Sequence, residues 1–317
     1  MTTTTPTPTR GVATAAKFVG MGLIWGASFL FMKVALEGTT FVQVFWTRLV
    51  LGALALGAVM LVTRSPLPRS PKMWGHFAVV GLVGCVLPYG FFAWAEQYVT
   101  SGIASILNAT TPIMTALMVT LAFKVERLTR EQVLGIGLGV VGVIVIIGPW
   151  RFAGTEAAAP LTEFAGQIAC VLAALCYGVT FSYLRKFVTP TGVSARTTAF
   201  MQIFAGAVIV LVFTPWVVTS PVELDWGIVL SLLVLGVLGT GVAYLWNIDV
   251  LMAWGPTAVS TVTYLTPVVG VLLGVLVLGE TLSWHEPVGA VLVLIGILFA
   301  QRRLTMPAGL LRRRAGG

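Results

Sequence analysis

Ten apolar runs follow one another along the chain, each bounded by charge or by Gly/Pro punctuation. They cover residues 15–36, 41–62, 74–98, 101–123, 131–149, 163–184, 195–218, 226–248, 256–278 and 286–301. Each approaches or exceeds the roughly 20 apolar residues that a helix needs to cross about 30 Å of hydrocarbon. Helices are expected because open sheet edges leave backbone groups unsatisfied in lipid. A β-barrel would need alternating segments, and the run from Val140 to Ile147 does not alternate. The pattern therefore predicts an all-α membrane protein with ten transmembrane helices. The first run carries Trp25 and Lys33 and has no small-x-small cleavage site, so it reads as a retained span rather than a removable signal. The Thr/Pro-rich residues 1–14 read as a disordered tail and residues 302–317 as a basic tail.

Composition sharpens this. Apolar residues make up 57% of the 317 and charged residues only 9%, where soluble domains average about 25% charged. Too few charges exist to coat a soluble fold, and disorder or a secreted disulfide scaffold is excluded. Cys85, Cys170 and Cys176 lie inside apolar runs with no CxxC pair, so they read as small buried hydrophobes and no metal site is expected.

The net charge of +8 matters through its placement. With the N-terminus inside, all 19 Lys and Arg residues except Lys33, Arg48 and Arg151 fall in the tails, the cytoplasmic loops or the cytoplasmic ends of spans. Basic segments stay on the cytoplasmic side, which predicts both termini in the cytoplasm of a multi-pass protein of the inner (plasma) membrane. Arg302, Arg303 and Arg312 to Arg314 read as a topology lock facing anionic lipid, not a nucleic-acid patch.

The chain also repeats itself. Glu126, Leu128, Thr129 and Gln132 match Glu280, Leu282, Ser283 and Glu286, the last two of each set reading as a capping box that opens the next helix. Gly135 and Gly142 match Gly289 and Gly296, Thr111-Pro112 matches Thr266-Pro267, and Ser105 matches Ser260. Trp25-Gly26-Ala27-Ser28-Phe29 matches Tyr177-Gly178-Val179-Thr180-Phe181, with Lys33 against Arg185, and Arg48 matches Gln202. Two halves of five spans result, 15–149 and 163–301. An odd number of crossings inserts the second half upside down, the inverted-repeat architecture of secondary transporters.

The Trp25-Gly26-x-Ser28-Phe29 start, Arg48 in the second span, Thr-Pro in the fourth and ninth, and the Gly279-Glu280-x-Leu282 stretch closely resemble the EamA-type transporter family of the drug/metabolite transporter superfamily. The resemblance covers residues 15 to 301. It implies a ten-helix exporter or facilitator of amino acids or other small metabolites, a central cavity between the halves, and peripheral fifth and tenth helices. One departure is visible: Lys124-Val125-Glu126 lacks the Gly before its Glu.

Polar groups inside a membrane are costly and face a cavity or another helix. Helical spacing aligns Trp25, Ser28 and Met32 on the first span, and Tyr89, Phe92 and Glu96 on the third after Pro88. It aligns Asn108, Thr111 and Thr115 on the fourth, Tyr177 and Thr180 on the sixth, Thr240, Tyr244 and Asn247 on the eighth, and Ser260, Thr263, Tyr264 and Pro267 on the ninth. Together with Arg48 and its counterpart Gln202, these outline an aromatic-walled pocket with a few hydrogen-bonding groups, as small-ligand sites have. The alternative is that Ser, Thr and Asn only join helices. Pro88, Pro112 and Pro267 remove backbone bonds within spans and either expose carbonyls to cargo or simply kink. Arg48, on the order of 10 Å into its span, either grips a carboxylate or phosphate or is satisfied by carbonyls or by snorkelling. Lys33 reads as a snorkelling anchor, and Gly135-x3-Gly139 with Gly289 and Gly296 as close-packing surfaces.

No HExxH, GxSxG or P-loop occurs, and His76 and His285 lie at helix ends, so no catalytic residues, metal or cofactor are expected. The reading is a transporter moving a small metabolite by alternating access. The rival readings are a channel or receptor without active transport and, behind them, an intramembrane enzyme. The first span holds no acid. Glu96 and Asp249 are the acids near span ends able to titrate, and uniport or cargo exchange is the expectation.

Overall fold

A computed structural model describes residues 8–124, 128–152, 161–254, 261–301 and 303–304. Among the described residues there is no strand. The helical stretches are α1 (Pro8–Ala35), α2 (Phe41–Thr63), α3 (Pro71–Ala95), α4 (Ser101–Leu121), α5 (Arg130–Ile147), α6 (Leu161–Thr191), α7 (Ala195–Thr219), α8 (Trp226–Leu251), α9 (Val262–Leu278) and α10 (His285–Ala300). The first eight are long and apolar enough to cross a membrane, and α9 and α10, of 17 and 16 residues, are shorter apolar helices. The chain is a multi-pass, all-helical membrane protein. Ser260, expected on the ninth span, lies outside the described residues, as do Glu126 and the Arg312 to Arg314 cluster.

Local chemistry sets the helix ends. Thr40 and Gln43 form a capping box at α2: Gln43 N–H donates to Thr40 Oγ1 at 3.3 Å and Thr40 N–H to Gln43 Oε1 at 2.8 Å. The box expected at Thr129 and Gln132 opens α5 in the same way. Its counterpart differs, because α10 starts one residue later than a box with Ser283 as N-cap would require. Ser283 N–H donates to Glu286 Oε2 at 3.1 Å, but Trp284 is the N-cap and no side chain caps it. The start of α1 at Pro8 also departs from the tail expected there. Proline suits a first helical position, since its missing N–H is unneeded there, and Ala13, Ala15 and Ala16 favour helix.

The α4 helix breaks after Asn108 and resumes at Thr111. Pro112 has no N–H to offer the Asn108 carbonyl, and Thr111 Oγ1 donates to it at 2.7 Å instead. That carbonyl is therefore taken up within the helix rather than left for a cargo. The first turn of α4 is held from a distance: Glu280 accepts from Ser101 N–H at 2.7 Å, Gly102 N–H at 3.1 Å and Ser101 Oγ at 3.0 Å. A carboxylate there satisfies orphan donors and meets the positive helix end.

The packing partners follow a rule. α1 packs on α8 and α9, and α6 on α3 and α4; α2 packs on α7 and α8, and α7 on α2 and α3; α4 packs on α9 and α5 on α10. Exchanging each helix with the one five places away returns these same pairs, while the smaller contacts of α4 with α1, α5 and α10 have no counterpart of similar extent at α9. Even single contacts follow it. A Cβ on Gly52 would lie 3.4 Å from the Gly236 carbonyl and 2.5 Å from Thr240 Cγ2; one on Gly206 would lie 3.4 Å from the Gly81 carbonyl and 3.1 Å from Cys85 Cβ. Both α3 and α8 contain π-helical turns, Leu82–Val86 and Val234–Val242.

The expected glycine surfaces form one seam. A Cβ on Gly135 would sit 2.5 Å from Ala300 N, and one on Gly289 2.7 Å from the Gly142 carbonyl, so the α5 and α10 backbones touch. Apart from each other, their main neighbour is α4.

Candidate functional site

Arg48 is the centre of the arrangement. It projects from the second turn of α2, is 8% exposed, and among the described residues bonds to no carbonyl. Its guanidinium lies over the Tyr89 ring, 4.1 Å from the centroid, and its Nε donates to Thr240 Oγ1 at 3.2 Å. Thr240 is itself anchored, donating to the Leu235 carbonyl at 3.0 Å across the α8 π turn. Among the described residues Arg48 has no other hydrogen bond and no carboxylate within ion-pair distance. Four of its five N–H donors are thus uncommitted.

Aromatic rings extend from this point. Tyr89 and Tyr244 hydroxyls meet at 3.4 Å. Trp25 stands edge-on to Tyr244 at 5.8 Å, and its Nε1 donates to the Gly239 carbonyl at 3.0 Å. On the other side Phe92 stacks on Tyr177 at 6.3 Å and meets Phe29 edge-on at 5.5 Å. Tyr177 packs against both large apolar clusters and so joins the two groups of rings.

Ser28 and Thr180 occupy matching places. Ser28 donates to its own helix at the Ile24 carbonyl, 2.9 Å away, and faces Gly239, where a Cβ would come within 3.2 Å of its Oγ. Thr180 faces Gly84, where a Cβ would lie 2.6 Å from its Cγ2. The Thr180 hydroxyl is buried without a partner among the described residues.

The remaining expected residues spread outward. Asn108 is partly buried with an unpartnered Oδ1 at the α4 break, and Thr111 is spent on the Asn108 carbonyl. Asn247 donates weakly to Met21 Sδ at 3.9 Å, between α8 and α1. The Gln202 carbonyl accepts from Cys85 Sγ at 3.7 Å. Thr263 is partly buried on α9. Tyr264 is tied to the end of α10, its hydroxyl donating to Gln301 Oε1 at 2.7 Å, not to the Arg48 group.

The structure thus brings together Trp25, Ser28, Arg48, Tyr89 and Tyr244, with Phe92 and Tyr177 beside them. Phe29 and Thr240 join the group as well. The signal existed: Phe29 closes the repeated Trp25 motif, and Thr240 leads the Thr240, Tyr244, Asn247 stripe. Chemically, a mostly buried guanidinium with uncommitted donors, walled by rings, suits planar anions such as carboxylates.

Comparison with known proteins places this site in context. The EamA-like transporter family matches residues 13–148 and again 164–301. An uncharacterised transporter of Bacillus subtilis is 25% identical over 87% of this chain and 87% of its own length. A protein of Salmonella typhimurium named "probable amino-acid metabolite efflux pump" is 25% identical over 87% and 90%. A "probable terminal-alkyne amino-acid exporter" of Streptantibioticus cattleyicolor is 26% identical over 88% and 90%. One solved structure superposes with a TM-score of 0.62 at 21% identity, covering 92% of this chain and 99% of that one, so the fold is shared.

Proposed function

The chain belongs to the EamA-like transporter family of the drug/metabolite transporter superfamily, and on that footing we propose that it exports a small metabolite bearing a carboxylate, an amino acid or close relative. Cargo binds where α1, α2, α3, α6 and α8 meet. Ten transmembrane helices form two inverted repeats, 15–149 and 163–301, in the plasma membrane with both termini cytoplasmic. Exchange of conformation between the repeats turns the site from one face to the other. The exchange rule of the helix pairs and the double family match support the repeats. The names of the Salmonella and Streptantibioticus relatives support the cargo class and direction.

One observation carries the reading. A cation buried in the membrane and left with free donors is costly, and a structural arginine would be paired. Arg48 instead is held by one hydrogen bond, to Thr240, and by the Tyr89 ring face, with its other N–H donors uncommitted among the described residues. Trp25, Ser28, Tyr89, Phe92, Tyr177, Thr180 and Tyr244 form the walls, and Asn108, Thr111, Gln202, Asn247, Thr263 and Tyr264 lie outside this group.

The test compares extracellular metabolites with and without expression, then repeats it with Arg48→Ala and Asn108→Ala at equal surface abundance. The expected result is a carboxylated metabolite that accumulates outside with the wild type and far less with Arg48→Ala. An unchanged profile, or full export by Arg48→Ala, overturns it.

A further inference from the structure

The end of α3 holds a second buried charge-bearing group. Glu96 follows Ala95 as the last turn of α3 closes, its N–H donating to the Phe92 carbonyl at 2.9 Å. It lies one helical turn beyond Phe92 and on the same face. Glu96 is 0% exposed, and among the described residues neither carboxyl oxygen has a hydrogen-bond partner. Gln167 of α6 is 1% exposed; its Nε2 donates to Glu163 at 3.4 Å, which leaves Oε1 buried and unpartnered. The two helices meet here: a Cβ on Gly166 would lie 3.2 Å from the Ala95 carbonyl and 3.0 Å from Val99 Cγ1. Cys170, one turn after Gln167 on α6, is within electrostatic reach of Glu96.

The charged groups around Glu96 come from three other elements. They are Lys33 of α1, Arg48 of α2, and Glu280 of the segment between α9 and α10. None is bonded to its carboxyl. Lys33 Nζ donates to the Glu96 main-chain carbonyl at 2.5 Å and to the Val99 carbonyl at 2.9 Å, closing the end of α3 instead of pairing with the carboxylate. Glu280 is committed to the first turn of α4. The other acid near a span end, Asp249, is paired with Lys17 at 2.5 Å.

One proton on the Glu96 carboxyl removes its charge and supplies the single donor that these buried acceptors lack. A carboxylate left charged and unpartnered here would carry an uncompensated desolvation penalty. A protonated carboxyl gains a donor, and the free Gln167 Oε1 is an acceptor on the facing helix. A hard metal cation fits poorly, since such ions take six or more oxygens and the two nearby main-chain carbonyls already bind Lys33.

We propose that Glu96 is a proton-binding site, occupied while α3 and α6 are closed around it, and that cargo movement is coupled to its proton. This rests on the transporter reading above and departs from the uniport or exchange expected from the sequence, in which the burial of Glu96 was not visible. When α3 and α6 part, water reaches the carboxyl and the proton leaves to solvent, with no other bond made or broken. The next closure requires a proton again. Because Glu96 and Phe92 share one face of α3, the motion that exposes the carboxyl also moves a wall of the cargo site.

Infrared spectroscopy of the purified full-length chain at neutral pH tests occupancy without any cargo. A protonated carboxylic-acid carbonyl band is expected, absent in Glu96→Gln and shifted in Gln167→Leu, which removes the facing acceptor. A spectrum in which Glu96→Gln removes no such band overturns the proposal, whatever the cargo. Coupling is then read in proteoliposomes with a mixture of proteinogenic L-amino acids as the probe. An imposed pH gradient should drive accumulation by the wild type in sodium-free buffer and not by Glu96→Gln. Accumulation by Glu96→Gln equal to the wild type, or accumulation that requires sodium, overturns it. Absence of amino-acid movement with the band intact counts against the cargo class alone and leaves the proton site supported.

Discussion

Replacing Arg48 by methionine separates a binding role from a structural one. The side chain has one hydrogen bond, to Thr240, worth about 1 kcal/mol net, and a ring contact with Tyr89 worth roughly 0.5–2 kcal/mol. Against these stands the cost of keeping a guanidinium at 8% exposure, several kcal/mol per buried ion. Methionine fills similar volume without a charge, so stability should stay level or rise. Cargo should fare differently: losing one partner of a buried charge-assisted contact costs roughly 2–5 kcal/mol, about 30- to 4,000-fold in affinity at 1.4 kcal/mol per tenfold. Arg48→Lys keeps the charge but loses the planar fork, and should fall between the two. The assay pairs a thermal melt of the detergent-purified protein with counterflow measured per molecule at the surface. If Arg48→Met melts far below the wild type while counterflow per folded molecule is unchanged, Arg48 is a packing residue and the cargo argument fails.

Three further outcomes follow from particular contacts. Gly289→Val should push α5 from α10, since the new Cβ would meet the Gly142 carbonyl at 2.7 Å and Ile146 N at 2.9 Å; backbone cannot yield as a side chain does, so a loss of about 1–3 kcal/mol is expected in the melt, and an unchanged melt would contradict the seam. Glu280→Ala should cost about 1–3 kcal/mol by leaving the Ser101 and Gly102 N–H groups without their acceptor, whereas Glu280→Gln, which keeps one oxygen, should cost less; equal effects would argue that the carboxylate charge is what matters. Single cysteines at positions 1 and 317 should both react only from the cytoplasm and one at 156 only from outside; tags on residues 1 and 317 found on opposite faces would break the odd-numbered repeat.

Much of the architecture was legible because lipid imposes a one-dimensional rule. A segment either carries enough apolar residues to cross or it does not, and the runs read along the chain lie close to the helices observed. The capping box at Thr129 and Gln132 was equally readable, since its partners are three residues apart. Its counterpart at Ser283 was not, because a shift of one residue in the start of α10 lies below what spacing resolves. The glycines at 135, 142, 289 and 296 announced a close approach, but their meeting in one seam joins residues more than 140 positions apart.

For the site, the sequence singled out Arg48 as a cation too deep to lack a partner and lined up the stripes that surround it. It could not say that Thr240 and Tyr89, on two other helices, would hold the guanidinium, or that Tyr264 would turn instead to Gln301. Nor could it separate Glu96 from Asp249: both are acids near span ends, and only packing leaves one unpartnered and gives the other Lys17. Hydrophobic periodicity is a property of each segment against its solvent, so the chain alone determined which segments enter the membrane. Which polar groups find partners there depends on neighbours brought together from far along the chain, and only the tertiary structure decided that.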